Sequence, residues 1–324
     1  MNSQTVVVSI VTWNHASSVE ACLESLFRQT RMPDKIYVYD NASTDNTMSI
    51  LHRFRERLEI ISNDRNRGFC EGHNSIINAT SSEFVLLVNP DVVLRPDYIE
   101  RAVAVMRRDA EIGALCGLLL QSSGKEGDEI VDGTGLVLTR SRRFILRDHG
   151  RRLSQMKTSA GEVFGCDGAL PLFRRSFIES ISMNGFFFDP AFFAHKEDQD
   201  VAWRGRLLGW KTVFEPSCVA LHPRLFRPGD LGLRRRLASE LKYHTVKNDL
   251  LMLLKNEQAA NFWSDFFSIV PRRLAIAFYT LIFEPRSFAA HWYVFRNLSS
   301  ILAQRKEIQR RCHVSANEIR LWIT

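Results

Sequence analysis

The chain has 324 residues, of which 45% are hydrophobic and 24% are charged. This is the composition of an ordinary globular protein that can bury a hydrophobic core, which argues against a disordered chain. The length suffices for one large α/β domain and an appendage. The formal net charge of +7 predicts an anionic partner, and nucleic acid, anionic lipid and phosphorylated small molecules all satisfy this charge.

Cysteine usage and the hydrophobic runs predict a reduced, cytoplasmic protein. None of the six cysteines forms a C-x-x-C pair, so we expect buried, reduced thiols. The N-terminal residues M-N-S-Q-T lead directly into a predicted strand, without the basic and apolar regions of a signal peptide. No stretch of about 20 uncharged apolar residues occurs, so a membrane-spanning helix is not expected.

Strands and helices alternate in the first third of the chain. Strands are predicted at residues 6–12, 36–39, 58–61, 84–88 and 113–120. Helices are predicted after Ser17 or Ser18, after Ser43 or Thr44 to near residue 57, at residues 72–79, and from Pro96 to near residue 108. This alternation is typical of a doubly wound, mostly parallel sheet with helices on both faces.

The most informative strand reads F-V-L-L-V and is followed by Asn89, Pro90 and Asp91. Its apolar run has no polar alternation, which favours a strand buried on both faces in the middle of a parallel sheet. Pro90 ends the strand, and ligands of open α/β sheets bind at the carboxyl ends of strands. Asn89 and Asp91 can therefore face one hard cation or a sugar hydroxyl. A simple turn explains the same residues equally well.

The alternation breaks after residue 121. We predict a turn at residues 124–127, a basic segment at 140–152, antiparallel strands within 161–173 and a short helix at 175–180. An aromatic-rich segment at 185–193, a helix at 197–208 and a last strand at 211–214 follow. The sequence does not establish whether the basic segment folds over a cleft.

From residue 226 the chain is rich in basic and aromatic residues. Helices are predicted at residues 233–255 and 262–283, with cationic residues close to large apolar ones. Basic helices with Trp and Phe on one side are typical of a membrane interface. The alternative is a helical subdomain that packs its aromatic residues against the α/β core.

Polar residues follow several of the predicted strands. They are Asn14, Asp40, Asn66, Asn89 and Asp91. Polar side chains at one edge of a sheet are what a ligand cleft needs. Asp40 can accept hydrogen bonds from a base or a ribose, or it can cap the next turn. For Asp45 we favour the cap.

A second acidic cluster comprises Glu197, Asp198 and Asp200 at the start of a predicted helix. The helix dipole stabilises carboxylates there, which is a sufficient structural explanation. The functional interpretation is a general base for an acceptor hydroxyl, with the aromatic residues just before it helping to exclude water. His222 follows the last predicted strand. Its possible roles are a metal ligand, a contact to phosphate or a purely structural histidine.

Five motifs, taken together, resemble a known family. They are S-I-V-T-W-N at residues 9–14, V-Y-D-N-A-S-T-D-N-T at 38–47, N-R-G-F-C-E-G-H-N at 66–74, L-V-N-P-D-V at 87–92 and F-F-A-H-K-E-D-Q-D-V-A-W-R at 192–204. In order and spacing the chain resembles a family 2 glycosyltransferase of GT-A fold, of the bacterial rhamnosyltransferase-like group. The resemblance covers about residues 5–225, and it predicts a catalytic domain at residues 1–225 and a helical region at 226–324.

The resemblance implies an inverting transfer from a nucleotide-sugar donor, with dTDP-L-rhamnose preferred and UDP- and GDP-sugars as alternatives. Thr12, Asn14, Asp40, Asn66 and Gly68 would bind the nucleoside part of the donor. Asn89 and Asp91 stand at the family's D-x-D motif, which holds a divalent cation on the diphosphate, and His222 would lie near that metal. Mg²⁺ or Mn²⁺ is therefore implied, although Asn replaces the first Asp.

The remaining implications concern the base and the partners. The resemblance implies Asp198 as the base, with Glu197 as the second choice. We expect a lipid-linked or polysaccharide acceptor and an anionic membrane surface on the inner face of the cell membrane. A non-catalytic nucleotide-sugar-binding scaffold is an alternative. We do not expect nucleic acid, because no recognition module is present, or NAD, because no G-x-G-x-x-G follows the first strand.

Overall fold

The computed structural model describes residues 5–121, 129–223 and 238–324. Helices flank one central sheet, and a helical region follows it, which confirms the predicted fold class. The turn predicted at residues 124–127 and the start of the helix predicted from residue 233 lie outside the described residues.

The central strand is the one that the sequence analysis singles out. β4 (Phe84–Val88) is buried along its whole length, and it pairs with β1 (Val6–Thr12) and β11 (Leu172–Arg174). Burial on both faces explains why its sequence shows no polar alternation. Pro90 cannot donate a ladder hydrogen bond, so the strand ends before Asn89.

The remaining strands extend this sheet in both directions. They are β2 (Lys35–Asp40), β3 (Glu59–Ser62), β5 (Val93–Leu94), β6 (Ile112–Gln121), β7 (Ile130–Gly133), β10 (Gly161–Glu162) and β12 (Lys211–Leu221). The order is β10-β12-β6-β11-β4-β1-β2-β3, with β5 paired to β12 and β7 to β6. β8 (Leu136–Leu138) and β9 (Phe144–Leu146) form a separate hairpin.

The sheet combines parallel and antiparallel pairs. β3, β2, β1 and β4 are parallel, and β12 is parallel to β6. β11 lies between β4 and β6 and is antiparallel to both. Antiparallel strands do form within residues 161–173, as predicted, but β10 pairs with β12 and β11 pairs with β4 and β6, so the two do not pair with each other.

Six helices belong to the sheet-bearing part of the chain that the structure describes. They are α1 (Val19–Phe27), α2 (Thr47–Arg53), α3 (Phe69–Asn78), α4 (Tyr98–Arg108), α5 (Arg175–Ile181) and α6 (Glu197–Leu207). The described C-terminal helices are α7 (Ser239–Asn256), α8 (Ala259–Ser264), α9 (Phe266–Phe283), α10 (Pro285–Arg296), α11 (Leu298–Arg310) and α12 (Ala316–Arg320).

Several predicted bounds were wrong for local reasons. β12 continues seven residues beyond the predicted end at 214, across a register shift around Pro216, which interrupts the apolar run. α2 ends at Arg53, short of residue 57, and α3 begins at Phe69, before residue 72. The helix predicted at 262–283 is divided at Asp265 into α8 and α9.

The C-terminal helices share a core with the sheet. One buried cluster includes Val85 and Leu87 of β4 together with Leu251 of α7, Ile269 of α9 and Ile301 of α11. The alternative prediction, a helical subdomain that packs on the α/β core, is therefore correct as far as the packing of these helices is concerned. A boundary near residue 225 stays a prediction.

The basic segment at residues 140–152 is attached to the helical region by Arg142. This side chain is fully buried and forms ion pairs with Glu257 and Asp265. A buried guanidinium with two carboxylate partners fixes the β8–β9 hairpin against α8.

One helix of the described residues, α9, is long and apolar enough to cross a membrane by length and composition alone. The criterion of about 20 uncharged residues does not detect it, because Arg272 and Arg273 lie within the helix. Only 11% of its 18-residue apolar window is buried.

Candidate active site

The first group of polar residues lies where β1 and β2 end side by side. Thr12 is opposite Asp40 in the register, and its hydroxyl donates a hydrogen bond of 2.8 Å to the Asp40 carboxylate. Asp40 also accepts hydrogen bonds from the amide and hydroxyl of Ser43. Asp40 is only 1% exposed, so it caps the turn after β2.

Asn14 joins this turn from β1. It has a positive φ of 58°, and its side-chain oxygen accepts a hydrogen bond of 2.8 Å from the amide of Thr44. Asp45 accepts hydrogen bonds from the amide and hydroxyl of Thr47, the first residue of α2. The cap interpretation of Asp45 is thus correct, whereas Ser43 and Thr44 do not cap this helix.

A third segment, which contains Asn66 and Gly68, closes over the end of β2. Asn41 donates to the carbonyl of Gly68 and accepts from the amide of Arg67. The Asn66 side chain accepts from the amide of Gly68 at 2.8 Å. Gly68 has a φ of 91°, and a Cβ atom there would lie 2.6 Å from the Phe193 ring. Both observations require glycine at this position.

The turn after β4 brings Asp91 to His222. β5 pairs with the end of β12, so the residue after β12 lies beside the turn. His222 Nε2 is 3.5 Å from the Asp91 carboxylate, and His222 Nδ1 is 2.8 Å from the carboxylate of Asp132. His149 Nδ1 lies 3.6 Å from the other oxygen of Asp132. Asp132 is fully buried and therefore orients the imidazole of His222.

The two carboxylates change the protonation of His222. Burial by itself would lower the pKa of His222, but hydrogen bonds to Asp132 and Asp91 and their charges raise it to about 9. Burial would raise the pKa of Asp91, yet the hydrogen bond and charge of His222 lower it below its ordinary value. Burial also lowers the pKa of His15, against the opposing charges of Asp91, Asp45 and Asp40.

Asp198 and the turn after β4 contact the same short segment. The amide of Gly168 donates to the Asp198 carboxylate at 3.1 Å. The next residue, Ala169, accepts a hydrogen bond of 2.9 Å from the amide of Asn89. Residues 168–169 therefore bridge the N-terminus of α6 and the turn that carries Asp91.

Glu197 differs from Asp198 in its surroundings. It is 8% exposed, and its Oε2 atom has no hydrogen-bond partner. Burial, and after it the charge of Asp198, raise the pKa of Glu197 to about 8. Glu197 is therefore largely protonated at neutral pH.

Asp200, the third acid of the cluster, is directed elsewhere. It is 1% exposed and binds Arg204, Asn256 and Lys255. Its role is structural, because it joins α6 to the C-terminal end of α7.

The loop before α6 is strained and is held by α7. Phe193, His195 and Lys196 have φ values of 62°, 71° and 68°. The Asn248 amide donates to the carbonyls of Phe192, Ala194 and His195 at 2.6–2.9 Å, and Lys196 forms an ion pair with Asp249. The helical region thus positions the residues that precede Asp198.

The aromatic-rich segment at 185–193 contributes more to the core than to a cleft. Phe187, Phe188 and Phe192 are at most 1% exposed. Asn74 exchanges two hydrogen bonds with the backbone of Phe188 and so anchors this segment to α3. The expectation that the aromatic residues before the acidic cluster help to exclude water stays a prediction.

Sequence reasoning missed Asp132 and Asn248. Asp132 follows two apolar residues of β7 in I-V-D-G, the pattern of an acid at the end of a strand. Asn248 lies in a basic and apolar helix where no motif marks it.

A divalent cation fits the residues around Asp91. The described residues contain no cluster of three or more His, Cys, Asp or Glu arranged for a metal. Asp91 and His222 nevertheless face each other, and buried Asp132 orients His222 in the manner of a carboxylate–histidine–metal triad. Mg²⁺ takes few protein ligands when phosphate oxygens and water complete its shell, so two or three donors suffice.

This central sheet, with helices on both faces and polar residues at the carboxyl ends of β1, β2 and β4, has the GT-A fold. The family model described as Glycosyl transferase family 2 matches residues 7–182, more than half of the chain. The chain belongs to this family.

Relatives and solved structures agree with this assignment. A poly-beta-1,6-N-acetyl-D-glucosamine synthase of Staphylococcus aureus is 20% identical over 256 residues, 77% of the chain and 57% of the synthase. The chain thus spans little more than half of that relative's length. An uncharacterized glycosyltransferase of Haemophilus influenzae is 27% identical over 117 residues, 35% of the chain and 36% of that protein.

Two of the similar solved structures contain a nucleotide sugar. Staphylococcus aureus TarS 1-349 with UDP-GlcNAc has a TM-score of 0.55 at 16% identity and covers 94% of the chain and 89% of TarS 1-349. The mannosyltransferase PcManGT of Pyrobaculum calidifontis, with GDP-Man and Mn²⁺, has a TM-score of 0.52 at 16% identity, with 98% and 77% coverage. At these identities the likeness shows the fold alone.

Proposed function

We propose that the protein is an inverting glycosyltransferase that moves a sugar from a nucleoside diphosphate to a hydroxyl of a lipid-linked or polysaccharide acceptor in cell-surface glycan synthesis. The observation that carries the proposal is the bridge at residues 168–169. It links Asp198, the proposed base, to the turn of Asp91, the proposed diphosphate end of the donor.

The nucleoside of the donor would lie over the ends of β1 and β2. Thr12 and Asp40 are buried and bonded to each other, so their proposed role is to hold the turn that contacts the base or ribose. Asn14 is exposed and adjacent to that turn, and Asn66 and Gly68 shape the opposite loop. Backbone amides and exposed side chains of these loops would then make the direct contacts.

The diphosphate would lie near Asp91. A divalent cation, Mg²⁺ or Mn²⁺, would be held by Asp91 and His222, with Asn89 as a further oxygen donor, and would neutralise the leaving diphosphate. Asn89 supplies no charge, so Asp91 is the one acidic ligand of this proposed set. Asp132 keeps His222 in position by a hydrogen bond to Nδ1.

Asp198 would accept the proton of the acceptor hydroxyl. The acceptor oxygen forms a bond to the anomeric carbon as the bond from that carbon to the diphosphate oxygen breaks, and attack opposite the leaving group inverts the configuration. Glu197, whose pKa is raised to about 8, is the second candidate for this base.

The donor stays open among three nucleotide classes. The rhamnosyltransferase-like resemblance favours dTDP-L-rhamnose, whereas the solved relatives named above bind UDP-GlcNAc and GDP-Man. A saturation-transfer NMR panel of dTDP-, UDP- and GDP-sugars with Mn²⁺ tests the proposal. We expect one nucleotide class to bind and to support transfer to a lipid-linked glycan. Absence of binding by every donor would contradict the proposed function.

A further inference from the structure

Helix α9 presents an apolar stripe to solvent along its whole length. Phe267, Leu274, Phe278 and Ile282 recur at spacings of seven, four and four residues, which places them on one side of a helix. They are 88%, 64%, 65% and 51% exposed. A contiguous exposed stripe of this size marks an interaction surface.

The charges of α9 face the protein. Arg272 forms an ion pair with Asp249 at 3.3 Å, and Arg273 also contacts this carboxylate. None of the exposed residues of α9 is charged. Ile269 and Thr280 on the inner side are fully buried, so α9 is attached along one side and lies open along the other.

Helix α10 adds exposed aromatic rings and cations. Trp292 and Phe295 are 60% and 66% exposed, and Arg286 and Arg296 are exposed on the same helix. Aromatic rings with neighbouring arginines suit the headgroup region of a bilayer, and the cations complement anionic lipid. A soluble partner would need no such combination of an uncharged stripe with a cationic, aromatic edge.

We propose that the exposed residues Phe267, Leu274, Phe278 and Ile282 of α9 and Trp292 and Phe295 of α10 form a bilayer-binding face. On this face α9 lies in the plane of an anionic membrane surface. A spanning arrangement would require Arg272 and Arg273 to leave Asp249, whereas an in-plane arrangement keeps the described fold intact. The positive net charge of the chain favours the anionic leaflet.

The bilayer-binding face is connected to the site through α7. Asp249 holds the two arginines of α9 and also Lys196 of the loop before Asp198. Membrane contact therefore fixes the distance between the bilayer and the base. This consequence rests on the proposed function, whereas lipid binding itself does not depend on it.

The test is co-sedimentation of the full chain with vesicles, without any sugar donor. We expect binding to vesicles of phosphatidylcholine and phosphatidylglycerol, weaker binding to phosphatidylcholine alone, and a decrease with added NaCl. The tryptophan emission should shift to shorter wavelength and be quenched by brominated lipids, and both changes should be smaller in Trp292→Phe. Binding without any donor distinguishes failure of this proposal from failure of the proposed transfer.

Matched variants locate the binding surface. The double variant Leu274→Glu with Phe278→Glu should lower the partition coefficient by about tenfold or more, because each apolar side chain loses its burial in lipid. Met32→Glu changes an apolar residue that is 47% exposed in the loop between α1 and β2, and it should leave partitioning unchanged. Arg286→Gln with Arg296→Gln should reduce binding to the anionic vesicles only.

Two results would overturn the proposal. One is a folded wild-type chain that stays in the supernatant with both vesicle types. The other is a dimer in light scattering that the Leu274→Glu, Phe278→Glu variant converts to monomer without any change in vesicle binding, since a second copy of the chain would then cover the face.

Discussion

Replacing Asp198 by Asn separates proton transfer from donor binding. The Asp198 carboxylate accepts the amide of Gly168 at 3.1 Å, and the Asn oxygen can accept the same hydrogen bond, so the geometry should persist. The proton-accepting capacity is lost together with the negative charge, which also acts on Glu197. We expect kcat to fall by about 10²- to 10⁴-fold, the usual contribution of a general base.

Glu197→Gln is the matched control for this variant. The pKa of Glu197 is raised to about 8, so below this pH the wild-type side chain is neutral and glutamine resembles it in charge and shape. We expect a decrease of less than about tenfold at neutral pH. The pair of variants differs by one position in the same helical turn, which controls for general damage to α6.

The assay is transfer from the donor found by NMR to a lipid-linked acceptor, with the donor Kd measured in parallel. We expect the Asp198→Asn variant to keep the donor Kd of the wild type. Activity of this variant within a few-fold of wild type would refute the base assignment. A loss in Glu197→Gln as large as in Asp198→Asn would transfer the role to Glu197.

Five further substitutions test the site and the contacts that hold it. Asp91→Asn should weaken Mn²⁺ binding by about tenfold or more, and Asn89→Asp should strengthen it by adding a charged ligand, as measured by Mn²⁺ EPR. Without metal, the stabilisation from His222, whose pKa is raised to about 9, is complete below a pH of about 6.5 and is lost as the pH rises to about 9. The difference is about 3 kcal/mol, and urea unfolding of His222→Gln should lack this slope. Asn248→Ala removes the donor to three loop carbonyls and should lower kcat with the donor Kd unchanged, with a destabilisation of about 1–3 kcal/mol. Arg142→Met leaves Glu257 buried without its ion-pair partner, while Asp265 keeps Arg320, and should lower the free energy of unfolding by about 3–5 kcal/mol, measured by urea unfolding.

The parallel half of the sheet follows directly from sequence periodicity. β1 and β4 are buried on both faces, so their continuous apolar runs predict central strands of a parallel sheet. The polar residues that follow two neighbouring parallel strands then lie at the same edge of the sheet. For the same reason Asn14, Asp40 and Asp91 were predicted at this edge from the local pattern, whereas Thr12 was named only through the family resemblance.

The antiparallel half depends on contacts that a local pattern does not contain. β11 has three residues, and its position between β4 and β6 is set by packing far along the chain. The role of Asp132 likewise depends on its hydrogen bond to His222, which is ninety residues away in the sequence. Asn248 donates hydrogen bonds to a loop more than fifty residues before it. The acceptors are backbone carbonyls, which every residue type has, so no sequence pattern marks this contact.

The central claim is that the turn of Asp91 and the helix start of Asp198 serve one ligand. A crystal structure of the chain with Mn²⁺ and the nucleoside diphosphate of its donor tests this most directly. We predict an anomalous manganese peak beside Asp91 and His222, with the terminal phosphate directed toward Asp198. Manganese or nucleotide bound elsewhere, with Asp198 facing a separate surface, would contradict the account.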